Sequence, residues 1–514
     1  MSTTSPAPAA PTPATGGPRP SIAIIGAGFG GIGVAIRLAQ AGFRNLRIFD
    51  RADGVGGVWR DNTYPGAACD VPSPLYSYSF APNHEWPNRY SEQPAILEYI
   101  DGCVDRFGLR DRLQLSTTVE RAVFDDAEGR WRLETDRGAF DADVLIPACG
   151  QLSEPAYPAI DGIDRFTGTA FHSARWRHDV DLSGKHVAVV GTGASAIQFI
   201  PRIAPQVERL TVYQRSAPYI LPRFQATYAE RHHRLFARLP ILQKLERLGW
   251  FAFGEAGTYG MVRHPITSEP FRRWCLRHLR SKVADDELRR ILTPDYAFGC
   301  KRVLFSENYY DAMVRPNVDV VPESVREVTA TGLVSTSGVE RPADVIIYGT
   351  GFRSKDFVAP MEIVGRGGRE LSAEWAAGER AHLGITVSGF PNMFLVYGPN
   401  TNLGSGSIVY VIESQANYVV DALQRLAARG GGWMDVRPEV LESFDRETQE
   451  RLSRTVWQTG CESWYVDANG RNANNWPAQV LEYRRRTRQV DPADFTWVAP
   501  TTAPASPDRV AVPA

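Results

Sequence analysis

Several common site chemistries are missing from this sequence. Its six cysteines (Cys69, Cys103, Cys149, Cys275, Cys300 and Cys461) are scattered, with no CxxC pair. A zinc site and a redox-active dithiol are therefore not expected. Nor is a disulfide framework, and the pattern fits a reducing cytoplasm. No metal is expected from the histidines either: His232, His233, His264 and His278 share no ligand spacing and read as surface or packing residues. Charge of one sign is lacking, since 57 basic side chains meet 58 acidic ones for a net charge of -1. That balance gives no reason to expect a nucleic-acid partner or disorder. Long apolar runs are lacking too. Residues 22–36 are the most tempting stretch, but they are short and broken by Gly26, Gly28, Gly30, Gly31 and Gly33, so a buried strand and a helix are expected rather than an integral membrane segment. Residues 1–20 have no apolar body of the kind a signal peptide needs. They and residues 499–514 read as disordered tails.

What the chain does have is glycine in a telling pattern, twice. IAIIGAGFGG places Gly26, Gly28 and Gly31 after an apolar strand, and a helix (Ile32 to Ala41) and the strand LRIFD, ending at Asp50, follow. Such glycines let helix-start N–H groups approach a pyrophosphate, and an acid beyond the second strand accepts hydrogen bonds from ribose hydroxyls. A second unit repeats this: an apolar strand from His186 to Val190 opens into Gly191, Gly193 and Ala196. Asp50 lies 24 residues after Gly26, and 24 after Gly191 stands Arg215, followed by Ser216. A cation with a hydroxyl suits a 2'-phosphate. The first site therefore looks made for FAD or NAD and the second for NADPH; the bland alternatives are a strand-ending acid and a solvated arginine. One fingerprint alone is weak, but two point to two dinucleotides held face to face.

The 514 residues, 43% of them apolar, are enough for two or three domains. Residues 56–80 form a glycine- and aromatic-rich loop able to wrap a flat cofactor, and it holds one well-placed acid, Asp70. Cofactor contacts are expected from Gly26, Gly28, Phe29, Gly31, Asp50, Gly57, Val58, Trp59, Asp70 and Tyr76. Val119, at the end of a strand-like run, is expected to join them. In the second unit they are expected from Thr192, Gly193, Ala194, Ser195, Arg215 and Ser216. A Pro-rich hinge, GQLSEPAYPAIDG, marks a boundary near residue 150. Residues 223–295 carry helical patches with apolar positions at three-to-four spacing. Their basic stripe reads as a solvated helix face, ahead of any membrane or phosphate site.

The chain resembles the flavin-containing monooxygenases and, within them, the type I Baeyer-Villiger monooxygenases. The family's long motif is matched by Phe166, Gly168, His172 and Trp176, and a second motif by Gly56, Gly57, Trp59, Tyr64, Pro65, Gly66 and Asp70. Both lie in the family's order around the fingerprints, and the resemblance covers nearly everything between the tails. The long motif usually closes with Pro or Asp after the Trp, and this chain has Arg177.

The resemblance implies an α/β fold of two Rossmann-like dinucleotide-binding domains with a helical insertion in the second. FAD would be bound by residues 21–150 and 385–498, and NADPH by 151–222 and 296–384, with 223–295 inserted and helping to wall the substrate pocket. It implies that Lys301 assists the 2'-phosphate, that Arg302 sits over the flavin oriented by Asp70, and that PNMFLVYGPNTNLGSGS (391–407) faces the flavin. His172 and Trp176 are then conformational rather than catalytic. The implied reaction takes NADPH, O2 and a small apolar ketone through a C4a-peroxyflavin to an ester or lactone. A permanently charged, planar Arg302 suits an anionic oxygenating species. N- or S-oxygenation, and a non-oxygenating NADPH oxidase or reductase, stand as alternatives. Of the closing aromatics Trp464, Tyr465 and Trp476, packing and the wall of an apolar pocket are equal readings.

Overall fold

Each glycine fingerprint sits where a parallel strand runs into a helix. The computed structural model describes residues 19–500 except 263, 264, 359, 462, 464 and 468. His264, Trp464 and most of the expected tails lie outside the described residues. The first sheet is parallel, in the spatial order Leu113–Gln114, Leu46–Phe49, Ile22–Ile25, Val144–Pro147. Its strands are almost wholly apolar because both faces are covered. On one face lies the helix Phe29–Gln40, backed by the buried side of Ile408–Ala428. The other face meets a four-stranded sheet built from Val119–Asp125, Arg130–Thr135, Gly138–Ala142 and Glu362–Val364.

The second sheet repeats the plan with five parallel strands, Val318–Val321, Arg209–Tyr213, His186–Val190, Val345–Tyr348 and Thr169–His172. In both sheets the glycine-bearing strand is flanked on one side by its successor in the chain and on the other by a strand that arrives much later. The order therefore reverses beside each glycine loop, and a crevice at that switch point is where such sheets bind ligands.

Between the paired strands Ile220–Leu221 and Leu304–Phe305 the chain makes the helices Glu230–Arg238, Pro240–Val262, Glu269–Lys282 and Asp286–Ile291. Near its end it returns to the first sheet, where the Phe394 and Val396 N–H groups donate to the carbonyls of Leu145 and Pro147 at 2.9 Å.

Two expectations need correction. The strand-like run from Leu113 to Val119 stops at Gln114, because Ser116 adopts φ 49° and its N–H turns to the Ala52 carbonyl; a separate strand then starts at Val119. The cysteines are not all free either: Cys300 and Cys461, 161 residues apart in sequence, are joined as a disulfide. Nothing in their spacing reveals this, since the pair meets only when the C-terminal segment packs with Tyr219, Phe298 and Trp457.

Candidate active site

The glycines shape the site first. Gly26 (φ 110°) and Gly191 (φ 104°) adopt a backbone that side chains avoid, and an added Cβ would lie 2.5 Å from the Ala148 oxygen or 2.6 Å from that of Gly349. A Cβ on Gly31 would run into the Gly26 carbonyl, so Gly31 seats the helix on its strand and does not line the cleft. Gly193 has no neighbour nearer than 4.0 Å to an added Cβ, which leaves the second loop open to a ligand. Gly28 abuts Gly57 at 3.5 Å by the same measure, bringing the loop around Val58 and Trp59 against the first fingerprint. There Trp59 Nε1 donates to the Tyr76 hydroxyl (3.0 Å), and Tyr76 packs edge-on to Phe29.

One cavity of about 1290 Å³ joins these parts. Pockets for a single small ligand span about 300–1,000 Å³, so this cavity exceeds what one such ligand needs. Asp50 lines it, with its carboxylate accepting the N–H of Ala27 (2.7 Å) and of Ala52 (2.9 Å). Burial raises its pKa, and the two backbone donors oppose the rise. Across the cavity stand Thr192, Gly193, Ala194, Ser195, Arg215, Ser216 and Lys301. The Lys301 ammonium donates to Ser216 Oγ at 2.8 Å and lies 4.6 Å over the Tyr296 ring, which gathers donors for an anion at this end. Val119 is not on the wall of this cavity, and its side chain is buried in the core between the first sheet and the outer one.

At the junction of the two halves Arg302 Nη2 lies 2.5 Å from Asp70 Oδ2. The Asp70 side chain is 18% exposed and that of Arg302 47%, so the acid is held and the guanidinium opens onto the cavity. The Asp70 charge pushes the Arg302 pKa up further, outweighing burial, and the guanidinium is permanently charged. Tyr397 and Tyr465 face it. Burial pushes the Tyr465 hydroxyl to about 12 and that of Tyr397 upward as well, so both are neutral donors. Of the two readings the sequence leaves for Tyr465 this is the pocket wall, and Tyr397 lies in the loop expected to face the flavin, though neither is tied to Arg302 by sequence. Tyr397 is brought in by a left-handed backbone (φ 62°) in the loop 391–407, and Tyr465 stands four residues beyond the cysteine bonded to Cys300, the neighbour of Lys301 and Arg302. Trp476, by contrast, is packing, buried against Tyr483. Cys69, beside Asp70, is no nucleophile, since burial raises its thiol pKa far above the usual range.

His172 and Trp176 stay off the cavity wall. His172 is fully buried at a strand end, its Nδ1 accepting the Ala174 N–H (3.1 Å). Burial lowers its pKa to about 4, so it is neutral. Its ring meets Phe352, which does line the cavity, and Trp176 packs between Phe171 and Phe199. Sequence reasoning also missed Gln198. From the helix of the second unit its side chain exchanges hydrogen bonds with Tyr64 and the backbone of Ala68, stapling that helix to the wrapping loop.

A Baeyer-Villiger monooxygenase of Streptomyces coelicolor is 45% identical to this chain over 484 residues, covering 94% of the chain and 93% of its relative. The chain belongs to the Baeyer-Villiger monooxygenases. Its fold agrees at full length. A steroid monooxygenase structure with NADP bound superposes with a TM-score of 0.81 at 35% identity, covering 91% of this monooxygenase and 97% of that chain. The OTEMO complex with FAD and NADP gives 0.83 at 27% identity, covering 94% and 100%. A family profile described as pyridine nucleotide-disulphide oxidoreductase matches residues 23–226, a stretch that takes in both glycine loops. This Baeyer-Villiger monooxygenase is thus a flavin-dependent oxidoreductase with two Rossmann-type units. Among its described residues, no helix is long and apolar enough to cross a membrane.

Proposed function

We propose that the enzyme uses NADPH and O2 to insert one oxygen atom beside a ketone carbonyl, releasing an ester or lactone. The observation that carries this is the Arg302–Asp70 pair at the junction of two glycine-lined nucleotide sites in one cavity. The residues present fit both cofactors. Around Gly26, Gly28 and Asp50 the backbone approach and the ribose acceptor suit FAD. Arg215, Ser216 and Lys301 suit the 2'-phosphate of NADPH. When FAD is bound there, the chemistry it supplies is transfer of reducing equivalents from NADPH to O2. Arg302 holds a fixed positive charge where oxygen anion develops, in a cavity whose low polarity strengthens that attraction. Asp70 orients Arg302. The aromatic wall of Trp250, Phe253, Phe271 and Phe298 excludes water and supports a small apolar ketone as substrate.

Residues 21–150 with 357–498 then form the FAD domain, 151–222 with 296–356 the NADPH domain, and 223–295 the insertion; the expected boundary at 385 moves back because Glu362–Val364 pairs with Val119–Asp125 and Phe357, Leu371 and Trp375 pack in the first unit's core. We place the enzyme in the cytoplasm on the ground of NADPH supply, because the Cys300–Cys461 bond removes the argument from cysteine usage. N- or S-oxygenation needs a protonated oxygenating species and has less use for Arg302. Purified holoenzyme given NADPH, O2 and a panel of ketones, amines and sulfides decides the matter: esters or lactones are expected. Oxidation of amines and sulfides alone would overturn the assignment, and NADPH consumption matched only by hydrogen peroxide would make it an oxidase.

A further inference from the structure

At its start, over residues 240–248, the helix Pro240–Val262 is inside out. Three of its polar residues there face the protein. Gln243 is buried, donating to the Asn83 carbonyl and pairing with His84; Glu246 accepts from Tyr228 (2.6 Å) and Arg89 (3.2 Å); Arg247 donates to the carbonyls of Pro74 (2.6 Å) and Ser77 (2.8 Å). The apolar residues of these turns face water, whereas further along Trp250, Phe253 and Met261 turn inward. Ile241 is 57% exposed, Leu245 56% and Leu248 59%, and Leu239, at the turn from the preceding helix Glu230–Arg238, is 50% exposed. The positions 241, 245 and 248 follow helical spacing, so they form one stripe. Leu235 and Leu242 extend it, and these six make up nearly half of the 13 exposed large hydrophobic side chains among the described residues. Such a contiguous patch marks an interaction surface.

Charge says what the surface fits. Arg231, Arg238 and Lys244 are exposed on the same two helices, and no ion pair engages them among the described residues; Arg234 pairs with Glu230. Glu246 and Glu255, the other acids of the hairpin, are turned inward, Glu255 accepting the Val480 N–H at 2.8 Å. A twofold contact with a second copy would set these cations against their own kind. An anionic lipid surface complements both the leucines and the cations. The hairpin also leads to the active cavity. A second cavity of about 620 Å³ is lined by Phe236 of the first helix and by Gly249, Trp250 and Phe253 of the second. Trp250 and Phe253 line the main cavity as well.

We propose that this helical hairpin docks the enzyme on an anionic phospholipid surface, from which apolar ketones reach the active cavity past Trp250 and Phe253. The docking stands on the exposed stripe and its charge; the entry of ketones rests on the function proposed above. The sequence alone favours a plain solvated face, and it is the outward leucines that change the reading.

The test is co-sedimentation of the full-length holoenzyme with vesicles of phosphatidylcholine alone or mixed with phosphatidylglycerol, at low and high salt. Binding to the anionic vesicles is expected, weakened by salt, with little binding to the neutral ones. Arg238→Glu and Lys244→Glu should each weaken it by at least ~5-fold, and Leu245→Glu with Leu248→Glu should abolish it. All four positions are exposed, so the flavin spectrum and turnover of a water-soluble ketone should be unchanged. Absent binding, or equal binding to both vesicle types, overturns the proposal. So does a concentration-dependent dimer in sedimentation velocity that the leucine double variant dissolves, since the face would then cover a second copy. Vesicle binding without ketone oxygenation would instead strike at the proposed reaction and leave docking standing.

Discussion

Replacing Asp70 by Asn tests the reaction more finely than removing Arg302. The isostere keeps the volume beside Arg302 and takes away the charge that orients it. What is lost is one charge-assisted hydrogen bond, now 2.5 Å long, from an acid that is mostly buried. Such a bond contributes about 1.5–3 kcal/mol, or roughly 10- to 100-fold in rate. The lower end applies here because half of the guanidinium surface is open and the arginine stays charged. Two assays separate the steps. Anaerobic stopped-flow reduction by NADPH should change little, since it depends on alignment of the two cofactors. Aerobic turnover should show ester formation falling by about the stated factor, with the missing equivalents recovered as hydrogen peroxide. Arg302→Ala should go further, by at least 100- to 1,000-fold in ester formation, while keeping FAD. If Asp70→Asn forms ester at the wild-type rate, or Arg302→Ala remains within a few-fold of it, the anion-holding role is wrong.

Three further outcomes are expected. Arg215→Ala should raise KM for NADPH roughly 10- to 100-fold, as loss of one or two charge-assisted bonds implies, and barely change KM for NADH; equal use of both coenzymes by the wild type would remove the 2'-phosphate site. His172→Ala should keep FAD but slow turnover and release more peroxide, because the ring supports Phe352 on the cavity wall; unchanged coupling, or loss of FAD, would leave it a packing residue. His382, packed against Phe444 and Phe495, has its pKa lowered to about 4 by burial, with Asp494 at 3.7 Å. Between pH 6.5 and 4 the unfolded chain takes up a proton that the native state refuses, so stability falls as pH drops, by about 2 kcal/mol at pH 5. His382→Phe should therefore lose less Tm than wild type between pH 7 and pH 5; parallel losses would show that the group does not titrate in this way.

How much of this was legible in the sequence depends on distance along the chain. The fingerprints were readable because a tight turn, a helix start and a strand-end residue lie within about one strand–helix–strand unit. Asp50 and Arg215 line the cavity for that reason. Arg302 and Asp70 stand 232 residues apart, and nothing local pairs them; resemblance to the family did. The places of Tyr397 and Tyr465 beside Arg302, and Gln198 altogether, are not legible because a left-handed residue, a disulfide and an interdomain staple bring them in, and none of these has a periodic signature. Gly31 and Val119, expected among the cofactor contacts, are absent from the cavity wall, and the space at their Cβ positions serves packing.

The insertion shows a different limit. Apolar residues at three-to-four spacing say that a helix has two faces, and the usual inference turns the apolar one inward. At the start of Pro240–Val262 the inward face is held by Gln243, Glu246 and Arg247, matched to the Asn83 carbonyl, Arg89 and the Pro74 carbonyl of the first domain. Once those polar groups are buried, turning the helix over would leave their partners unsatisfied, at about 1–3 kcal/mol each. The gain from hiding half-exposed leucines is of similar size, and with three anchored groups the polar side wins. Periodicity reports the stripe; the partners across the interface, far away in sequence, decide which way it faces.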